Sequence, residues 1–219
     1  MKTNFETFNV LITGLGGQGV LLVSKAIAAA ASRSRVFACR TESRGLSQRG
    51  GSVCSEVRFG PTIVAPVIGR HSADVILSLD ALEAARVLSF LKPDGILLTN
   101  THFVAPLHIL STWRNESREQ EQHAALGRQL MSIFASRVEA RVLDLPELAA
   151  AARCERGVNC ALIGAASRYL PIAADDLRAS FRAMIKPQHR KASMRAFDAA
   201  LEVTPWSPYA DLKTDKLPA

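Results

Sequence analysis

The sequence lacks any long hydrophobic run. Nowhere in its 219 residues do roughly 18 uninterrupted apolar residues occur, the length that a membrane-spanning helix needs. The N-terminal segment MKTNFETFNVLIT passes directly into a strand pattern, without the apolar stretch and cleavage site of a signal peptide. We therefore expect a cytoplasmic protein with no membrane segment.

Metal-binding motifs are also missing. The four cysteines, Cys39, Cys54, Cys154 and Cys160, include no CxxC pair, which argues against a metal or iron–sulfur cluster held by this chain alone. Scattered cysteines in a reducing compartment are usually buried apolar side chains. We expect no metal site.

Aromatic residues are few, although positive charge is abundant. The net charge of +7 comes from lysines and arginines that are spread along the chain, and only two tyrosines and two tryptophans are available to stack on bases. This pattern disfavours nucleic-acid binding. The positive charge is equally compatible with a surface that docks an acidic partner subunit and with a groove that attracts phosphorylated cofactors.

The composition indicates one α/β domain. A hydrophobic content of 48% in a chain of this length is enough to bury a full core. Four segments predict strands, at 9–13, 35–39, 73–79 and 95–100, and the first two with the helix 20–31 resemble a parallel βαβ unit. We expect a single domain over 1–203 and a C-terminal tail over 204–219.

Further patterns complete the prediction. Segments 53–59 and 62–68 predict two antiparallel strands joined by a turn at Gly60-Pro61, so the sheet is expected to be mixed and mainly parallel. Asp80 is expected to cap a helix that Pro93-Asp94-Gly95 ends. We expect one more strand at 138–145 and helices elsewhere, at 111–135, 146–154, 159–170, 173–185 and 189–202.

The segment GLGGQG follows the first strand and precedes a helix. Its spacing of Gly14, Gly16 and Gly19 satisfies the local requirements for dinucleotide binding. The candidate cofactor-binding residues are Gly14, Gly16, Gly17, Gln18 and Gly19. A dinucleotide site also needs an acidic residue at the end of the second strand to bind the ribose of NAD, but Cys39 and Arg40 stand there. This departure weakens the NAD interpretation. NADP binding stays open only because Arg40 could contact its additional phosphate.

Two other interpretations of this loop remain open. The glycines can serve only to pack the strand tightly on the helix, with Gln18 capping the turn. Alternatively, the loop forms one wall of a site that another polypeptide completes.

A second loop, predicted at 40–53, is rich in glycine and hydrogen-bond donors. Such glycines allow unusual backbone angles, and the guanidinium groups suit carboxylate or phosphate. The candidate residues for facing a partner or an active site are Glu42, Arg44, Gly45, Ser47, Gln48, Arg49, Gly50 and Gly51. We expect Arg49 to serve an assembled complex rather than the fold of the free chain.

These motifs occur together in an order that is typical of one family. GLGGQG, then ESRGLSQRGG, then ADVILSLDALEAAR and PDGILLTN resemble the gamma subunit or domain of 2-oxoacid:ferredoxin oxidoreductases, in particular the small (beta) subunit of indolepyruvate oxidoreductases. The resemblance is specific over residues 8–101 and looser towards the C-terminus. It implies a three-layer α/β/α sandwich with a helical C-terminal region.

The resemblance also implies a function. Enzymes of this family oxidatively decarboxylate a 2-oxoacid to an acyl-CoA and pass the electrons to ferredoxin, with thiamine pyrophosphate, Mg²⁺ and 4Fe-4S clusters. The chain has neither a GDG motif nor cluster ligands. It is therefore expected to be a non-redox subunit, inactive alone, whose large partner binds those cofactors, and the substrate is expected to be indolepyruvate or another aryl pyruvate. The isolated chain can form a homo-oligomer.

The alternatives are a free-standing NADP-dependent oxidoreductase and a non-catalytic nucleotide-binding module. His71 and His102 lie beside predicted strand ends, but no carboxylate or cysteine stands at an informative spacing from them, so neither is expected to be a general base. Ser24 and Lys25 do not have the P-loop spacing. No catalytic residue is predicted in this chain.

Overall fold

The computed structural model describes residues 7–44, 50–105 and 116–203. Its strands are β1 Phe8–Leu15, β2 Ala38–Arg44, β3 Ser52–Phe59, β4 Ala73–Ser78, β5 Leu91–Asn100 and β6 Glu139–Leu143. They form one sheet in the order β2-β3-β1-β4-β5-β6. β1, β4, β5 and β6 pair in parallel, whereas β3 is antiparallel to both of its neighbours. The predicted mixed, mainly parallel sheet is confirmed.

Helices cover both faces of the sheet. They are α1 Val20–Arg33, α2 Ala81–Val87, α3 Glu116–Arg137, α4 Leu145–Ala151, α5 Val158–Ala166, α6 Ala174–Met184 and α7 Pro187–Glu202. Short 3-10 turns follow α2 and α5, at Leu88–Phe90 and Ser167–Tyr169. None of the described helices is long and apolar enough to cross a membrane.

Two hydrophobic cores lie on opposite faces of the sheet. Val10 and Ile12 of β1 belong to the core that contains α1, α5, α6 and α7, whereas Leu11 belongs to the core that contains α2 and α3. Alternate strand residues point to opposite faces, so β1 is buried from both sides. The three-layer α/β/α sandwich is confirmed, with its helical C-terminal region in one layer.

The second strand was predicted wrongly in both its limits and its place. It runs over Ala38–Arg44, so residues 40–44 of the predicted loop belong to a strand. β3 inserts between β1 and β2, which leaves β2 at the edge of the sheet. A polar sequence such as ACRTESR suits an edge strand, because much of it faces solvent.

The predicted hairpin after Gly60-Pro61 is also wrong, because residues 62–68 form no strand. Their polar backbone groups contact side chains of β3. The Arg58 guanidinium donates to the carbonyls of Ala65 and Val67, and the Ile68 N–H donates to the Glu56 carboxylate. Prolines 61 and 66 have no N–H to give to a ladder. The antiparallel pairing comes instead from β3 with β1 and β2.

Other boundaries differ by a few residues. β5 begins at Leu91, so the predicted helix stop at Pro93-Asp94-Gly95 lies inside a strand, and α2 ends earlier than predicted. α5 begins at Val158 after Gly157 rather than at Asn159. Residues 111–115 of the predicted third helix and the tail at 204–219 lie outside the described residues. The domain limits therefore stay a prediction.

Candidate functional site

The first glycine motif forms the turn between β1 and α1. Gly17 and Gly19 have positive φ angles of 99° and 92°, a region in which residues with side chains are strained. The Gln18 N–H donates to the Leu15 carbonyl at 3.0 Å, and the Leu15 N–H donates to the Gln18 side-chain oxygen at 2.7 Å. Gln18 thus caps the turn, as the structural interpretation of the motif predicts.

The first and last glycines of this turn are required by packing within the protein. A Cβ atom on Gly14 would lie 2.7 Å from Oε1 of Gln18 and 3.2 Å from Cβ of Leu79. A Cβ atom on Gly19 would lie 2.1 Å from Nδ2 of Asn159, in α5. These two glycines therefore allow close contact between secondary-structure elements.

The middle of the turn contacts the second glycine motif. The Gly16 N–H donates to the Gly51 carbonyl at 2.9 Å. A Cβ atom on Gly17 or on Gly50 would meet no atom of the described residues within 4 Å. We call Gly16, Gly17, Gly50 and Gly51 the glycine surface. Its exposed members present bare backbone, to which another molecule can approach closely.

Only part of the second motif is described. Arg44 ends β2 and pairs in register with Val53 of β3. The Glu42 carboxylate pairs with the Arg40 guanidinium. Four other predicted positions, Gly45, Ser47, Gln48 and Arg49, lie outside the described residues. The structure brings Gly51 of this motif to the first glycine turn, and cofactor binding by residues 14–19 stays a prediction.

The sheet order does not give the geometry of a dinucleotide site. In that fingerprint, the residue that binds the ribose ends a strand beside the glycine-rich strand. Here β3 lies between β1 and β2, so β2 is about 10 Å from β1, twice the usual spacing of strands. Arg40 was the residue that kept NADP binding open as an interpretation. It lies on this distant strand and pairs with Glu42.

Asp80 follows β4 and caps α2, as predicted. One of its carboxylate oxygens accepts from the N–H groups of Leu82 and Glu83, at 2.9 and 3.1 Å. The other accepts from the N–H of Val104 at 2.8 Å. Burial raises the pKa of Asp80, although these three hydrogen bonds oppose the rise. Both oxygens are therefore occupied in holding the backbone.

Glu83 is a buried polar residue that the sequence analysis missed. Its carboxylate accepts a 2.5 Å hydrogen bond from the Ser52 hydroxyl and lies 3.3 Å from Nε of Arg86. Only 4% of its side chain is exposed. Because Ser52 directly follows Gly51, this contact ties the glycine surface to α2. The sequence did contain a signal for this residue, because an acidic residue in the first turn of a helix with an arginine three positions later can form an ion pair.

His102 follows β5 and lies next to a carboxylate that is distant in the sequence. Its Nε2 atom lies 3.3 Å from Oδ2 of Asp144, which follows the adjacent strand β6. Asp144 also caps α4 by accepting from the Glu147 N–H at 2.9 Å. His71 adopts a positive φ of 55° in a turn before β4, at the opposite end of the parallel strands. The structure therefore separates the two histidines.

Two of the cysteines lie in surroundings that keep a thiol neutral. Burial, with a smaller contribution from Glu56 and Glu83, raises the pKa of Cys54 to about 12. Burial likewise raises the pKa of Cys160 to about 11. Among the described residues, no three histidine, cysteine or acidic side chains form a group that could hold a metal ion.

The fold and the site define a class of protein. It is a Rossmann-like α/β module with β1 and β4 as neighbours in the sheet. The helix that follows β1 packs on one face of the sheet, and the helix that follows β4 packs on the other. Ligands of such folds usually bind where the connections diverge in this way, at the carboxyl ends of the two strands. The glycine surface at this point presents backbone, while the nearby Asp80 and Glu83 are engaged within the chain. This geometry suits the approach of a ligand or a partner chain.

Comparisons with known proteins identify the family. The family described as pyruvate ferredoxin/flavodoxin oxidoreductase matches residues 9–203. The chain belongs to this family and is a subunit of a 2-oxoacid:ferredoxin oxidoreductase. It is 30% identical over 203 residues to indolepyruvate oxidoreductase subunit IorB of Thermococcus kodakarensis, and the match covers 90% of this chain and 96% of the relative.

Solved structures show the same fold. The pyruvate oxidoreductase subunit PORC of Thermotoga maritima superposes with a TM-score of 0.64 at 20% identity, covering 90% of this chain and 97% of that one. The 2-oxoglutarate:ferredoxin oxidoreductase of Magnetococcus marinus gives a TM-score of 0.67 at 16% identity, covering 94% of this chain and 33% of that one. The fold is therefore found both as a separate subunit and within a longer chain.

Proposed function

We propose that the chain is the non-redox subunit of a thiamine pyrophosphate-dependent enzyme that oxidises indolepyruvate or another aryl pyruvate. The assembled enzyme, in the cytoplasm, converts the 2-oxoacid and coenzyme A to an acyl-CoA and CO₂, and passes the electrons through 4Fe-4S clusters to ferredoxin. The relative named as an indolepyruvate oxidoreductase subunit, matched over almost its whole length, supports this substrate class.

The described residues offer no set of ligands for the metal cofactors of the reaction. No three histidine, cysteine or acidic side chains among them form a group that could hold a metal ion. Both carboxylate oxygens of Asp80 accept backbone hydrogen bonds. We therefore assign thiamine pyrophosphate, Mg²⁺ and the clusters to a large partner subunit.

The observation that carries the proposal is the contact between the two glycine motifs. The hydrogen bond from Gly16 to Gly51 places the two motifs side by side, and the open positions Gly17 and Gly50 flank it. The positive φ angles of Gly17 and Gly50 by themselves favour glycine, and among the described residues the space in front of both positions is open to a partner chain.

The test compares two substitutions at one position. Gly17→Ala and Gly17→Trp impose the same strain, because both residues must adopt the φ of 99°. Only tryptophan adds bulk in the open space in front of the turn. We expect equal melting temperatures for the two free variants. We expect Gly17→Ala to copurify with a coexpressed large subunit and Gly17→Trp to lose at least about tenfold in the recovered complex, since a clash at a close-packed interface costs more than about 1.4 kcal/mol.

Equal recovery of the complex with both variants would contradict a partner at this surface. The reaction is tested separately, by viologen dye reduction with thiamine pyrophosphate, coenzyme A and each of indolepyruvate, phenylpyruvate, pyruvate and 2-oxoglutarate. We expect activity only when both subunits are present, and highest with the aryl substrates. Turnover by the free chain would refute the subunit role, and a preference for pyruvate or 2-oxoglutarate would refute the substrate class.

Arg49 provides a second test of the same interface. If the Arg49 side chain is exposed in the free chain, Arg49→Ala should change the free energy of unfolding by less than about 0.5 kcal/mol, the usual range for surface substitutions. Removing a cross-interface charge contact should cost about 2 kcal/mol or more in assembly. Arg70→Ala, which removes an exposed arginine before β4, is the control. If the Arg49→Ala variant assembles normally, Arg49 does not contribute to the interface.

A further inference from the structure

We propose that the groove between α6 and α7 binds a small molecule that carries two or more phosphate groups, such as inorganic pyrophosphate or a nucleoside diphosphate. The groove has a volume of about 630 Å³, within the usual range of roughly 300–1,000 Å³ for small-molecule sites. Its charged lining consists of Arg178, Arg182, Arg190, Lys191, Arg195 and Asp198. None of these residues belongs to the glycine surface.

The cationic residues recur along one face of α7. Arg190, Lys191 and Arg195 are spaced at i, i+1 and i+5, and Asp198 follows three positions later, so helical periodicity places all of them towards α6. From α6, Arg178 and Arg182 are one turn apart and face the same groove. The positive charges are therefore concentrated here by the packing of two helices.

Only one of the five cationic groups is neutralised within the groove. Arg178 and Asp198 form a two-pronged ion pair, with N–O distances of 2.7 and 2.8 Å. The side chains of Arg182 and Lys191 have no hydrogen-bond or ion-pair partner in the described parts of the chain. Four cationic groups thus face the groove without a carboxylate there, which favours an anion of more than one charge.

Three of the arginines are held in place before any ligand arrives. The Arg190 guanidinium donates to the Ile185 carbonyl at 2.9 Å, and that of Arg195 donates to the Ala152 carbonyl at 3.1 Å. Arg178 is held by Asp198. Each guanidinium keeps further N–H donors, and fixed planar donors match phosphate oxygens well. Such preorganisation reduces the entropy lost on binding.

The start of α7 adds to the attraction for anions. Pro187 is the first residue of this 16-residue helix and lines the groove, and no side chain caps this end. Pro187 has no N–H, and the His189 N–H donates to the Lys186 carbonyl at 2.9 Å, so this end of the helix contributes through its dipole rather than through direct hydrogen bonds. Met194, which is 5% exposed, provides an apolar wall. The groove is open to solvent, and a compact polyphosphate can contact several of its cationic groups at once.

The experiment is a calorimetric titration of the full-length chain with inorganic pyrophosphate and with ADP at physiological salt. We expect saturable binding of one molecule per chain. The double variant Arg182→Ala/Lys191→Ala should weaken it by at least about tenfold, because hydrogen bonds to charged groups are lost. The control variant Arg70→Ala/Arg128→Ala removes two exposed arginines outside the groove, and it should change the affinity by less than about twofold. All melting temperatures should match.

Other outcomes would overturn the proposal. The absence of saturable binding would do so, and so would an equal loss of affinity in both double variants, which would indicate nonspecific attraction to a basic protein. Orthophosphate should bind more weakly than pyrophosphate. If polyglutamate bound more tightly than pyrophosphate and depended on Arg182 and Lys191, the groove would instead be a docking site for an acidic protein.

Discussion

The Ser52 hydroxyl donates a 2.5 Å hydrogen bond to the buried carboxylate of Glu83. The two residues are 31 positions apart in the chain, and the contact joins the first residue of β3 to the first turn of α2. Since Gly51 precedes Ser52 and accepts from Gly16, this one contact supports both the sheet and the glycine surface. Its loss should therefore be visible in stability and in assembly.

We expect Glu83→Ala to lower the free energy of unfolding by about 2–3 kcal/mol, because it leaves the partner groups of a buried carboxylate unsatisfied. Ser52→Ala should cost about 1 kcal/mol, since one hydrogen bond is lost. Glu139→Ala is the control, and its exposed pair with Arg141 should contribute less than about 0.5 kcal/mol. Urea unfolding measures all three. A loss at Glu83 no larger than at Glu139 would mean that the contact does not support the fold.

Gly19 should be intolerant of a side chain because of Asn159. In Gly19→Ala the new Cβ atom would lie 2.1 Å from Nδ2 of Asn159, in addition to the strain of a positive φ. Gly17→Ala carries similar strain without the clash and is the matched control. We expect Gly19→Ala to cost at least about 1 kcal/mol more than Gly17→Ala. Adding Asn159→Ala should recover about 1 kcal/mol in a double-mutant cycle, whereas additive costs would exclude the clash.

The thiol of Cys54 should be inert in the folded protein. Its pKa is raised from an ordinary 9.0 to about 12, so at pH 8 only about one molecule in 10,000 has the reactive thiolate. We expect native Cys54 to react with iodoacetamide at less than about 1% of its rate in the urea-unfolded chain, as measured by mass spectrometry of digests. Comparable rates in the two states would show that the site is open.

The same shift gives the sign of a pH effect on stability. Between pH 9 and 12 the unfolded thiol loses its proton while the folded thiol keeps it, so ionisation favours the unfolded state. The stability of the wild-type chain should fall relative to Cys54→Ala as the pH rises through this window. A constant difference between the two proteins would contradict the raised pKa.

Nicotinamide dinucleotides should bind weakly. β3 separates the glycine turn from β2, and Arg40 on β2 is paired with Glu42, so no ribose-binding group of the second strand stands beside β1. We expect dissociation constants above about 100 µM for NAD and NADP in calorimetry. A value near or below about 1 µM, which corresponds to roughly 8 kcal/mol, would favour a free-standing dinucleotide enzyme.

Features that depend on neighbouring residues were predictable from the sequence. Asp80 caps α2 because its side chain reaches N–H groups two and three residues ahead, and Gln18 closes a turn that begins three residues before it. The strands at 73–79 and 95–100 were recognised because a buried parallel strand is apolar throughout. The two glycine motifs were recognised by composition, although their contact was not.

Strand order and long-range contacts could not be predicted in this way. The sequence determined an α/β chain of alternating apolar segments, its caps, its glycine turns and an excess of positive charge, because each of these follows from local periodicity or from composition. The tertiary structure alone decided that β3 lies between β1 and β2, that Asp144 meets His102 and that the arginines of two helices line one groove. These pairings depend on which distant segments pack together, and residues 42 positions apart carry no local signal of their contact.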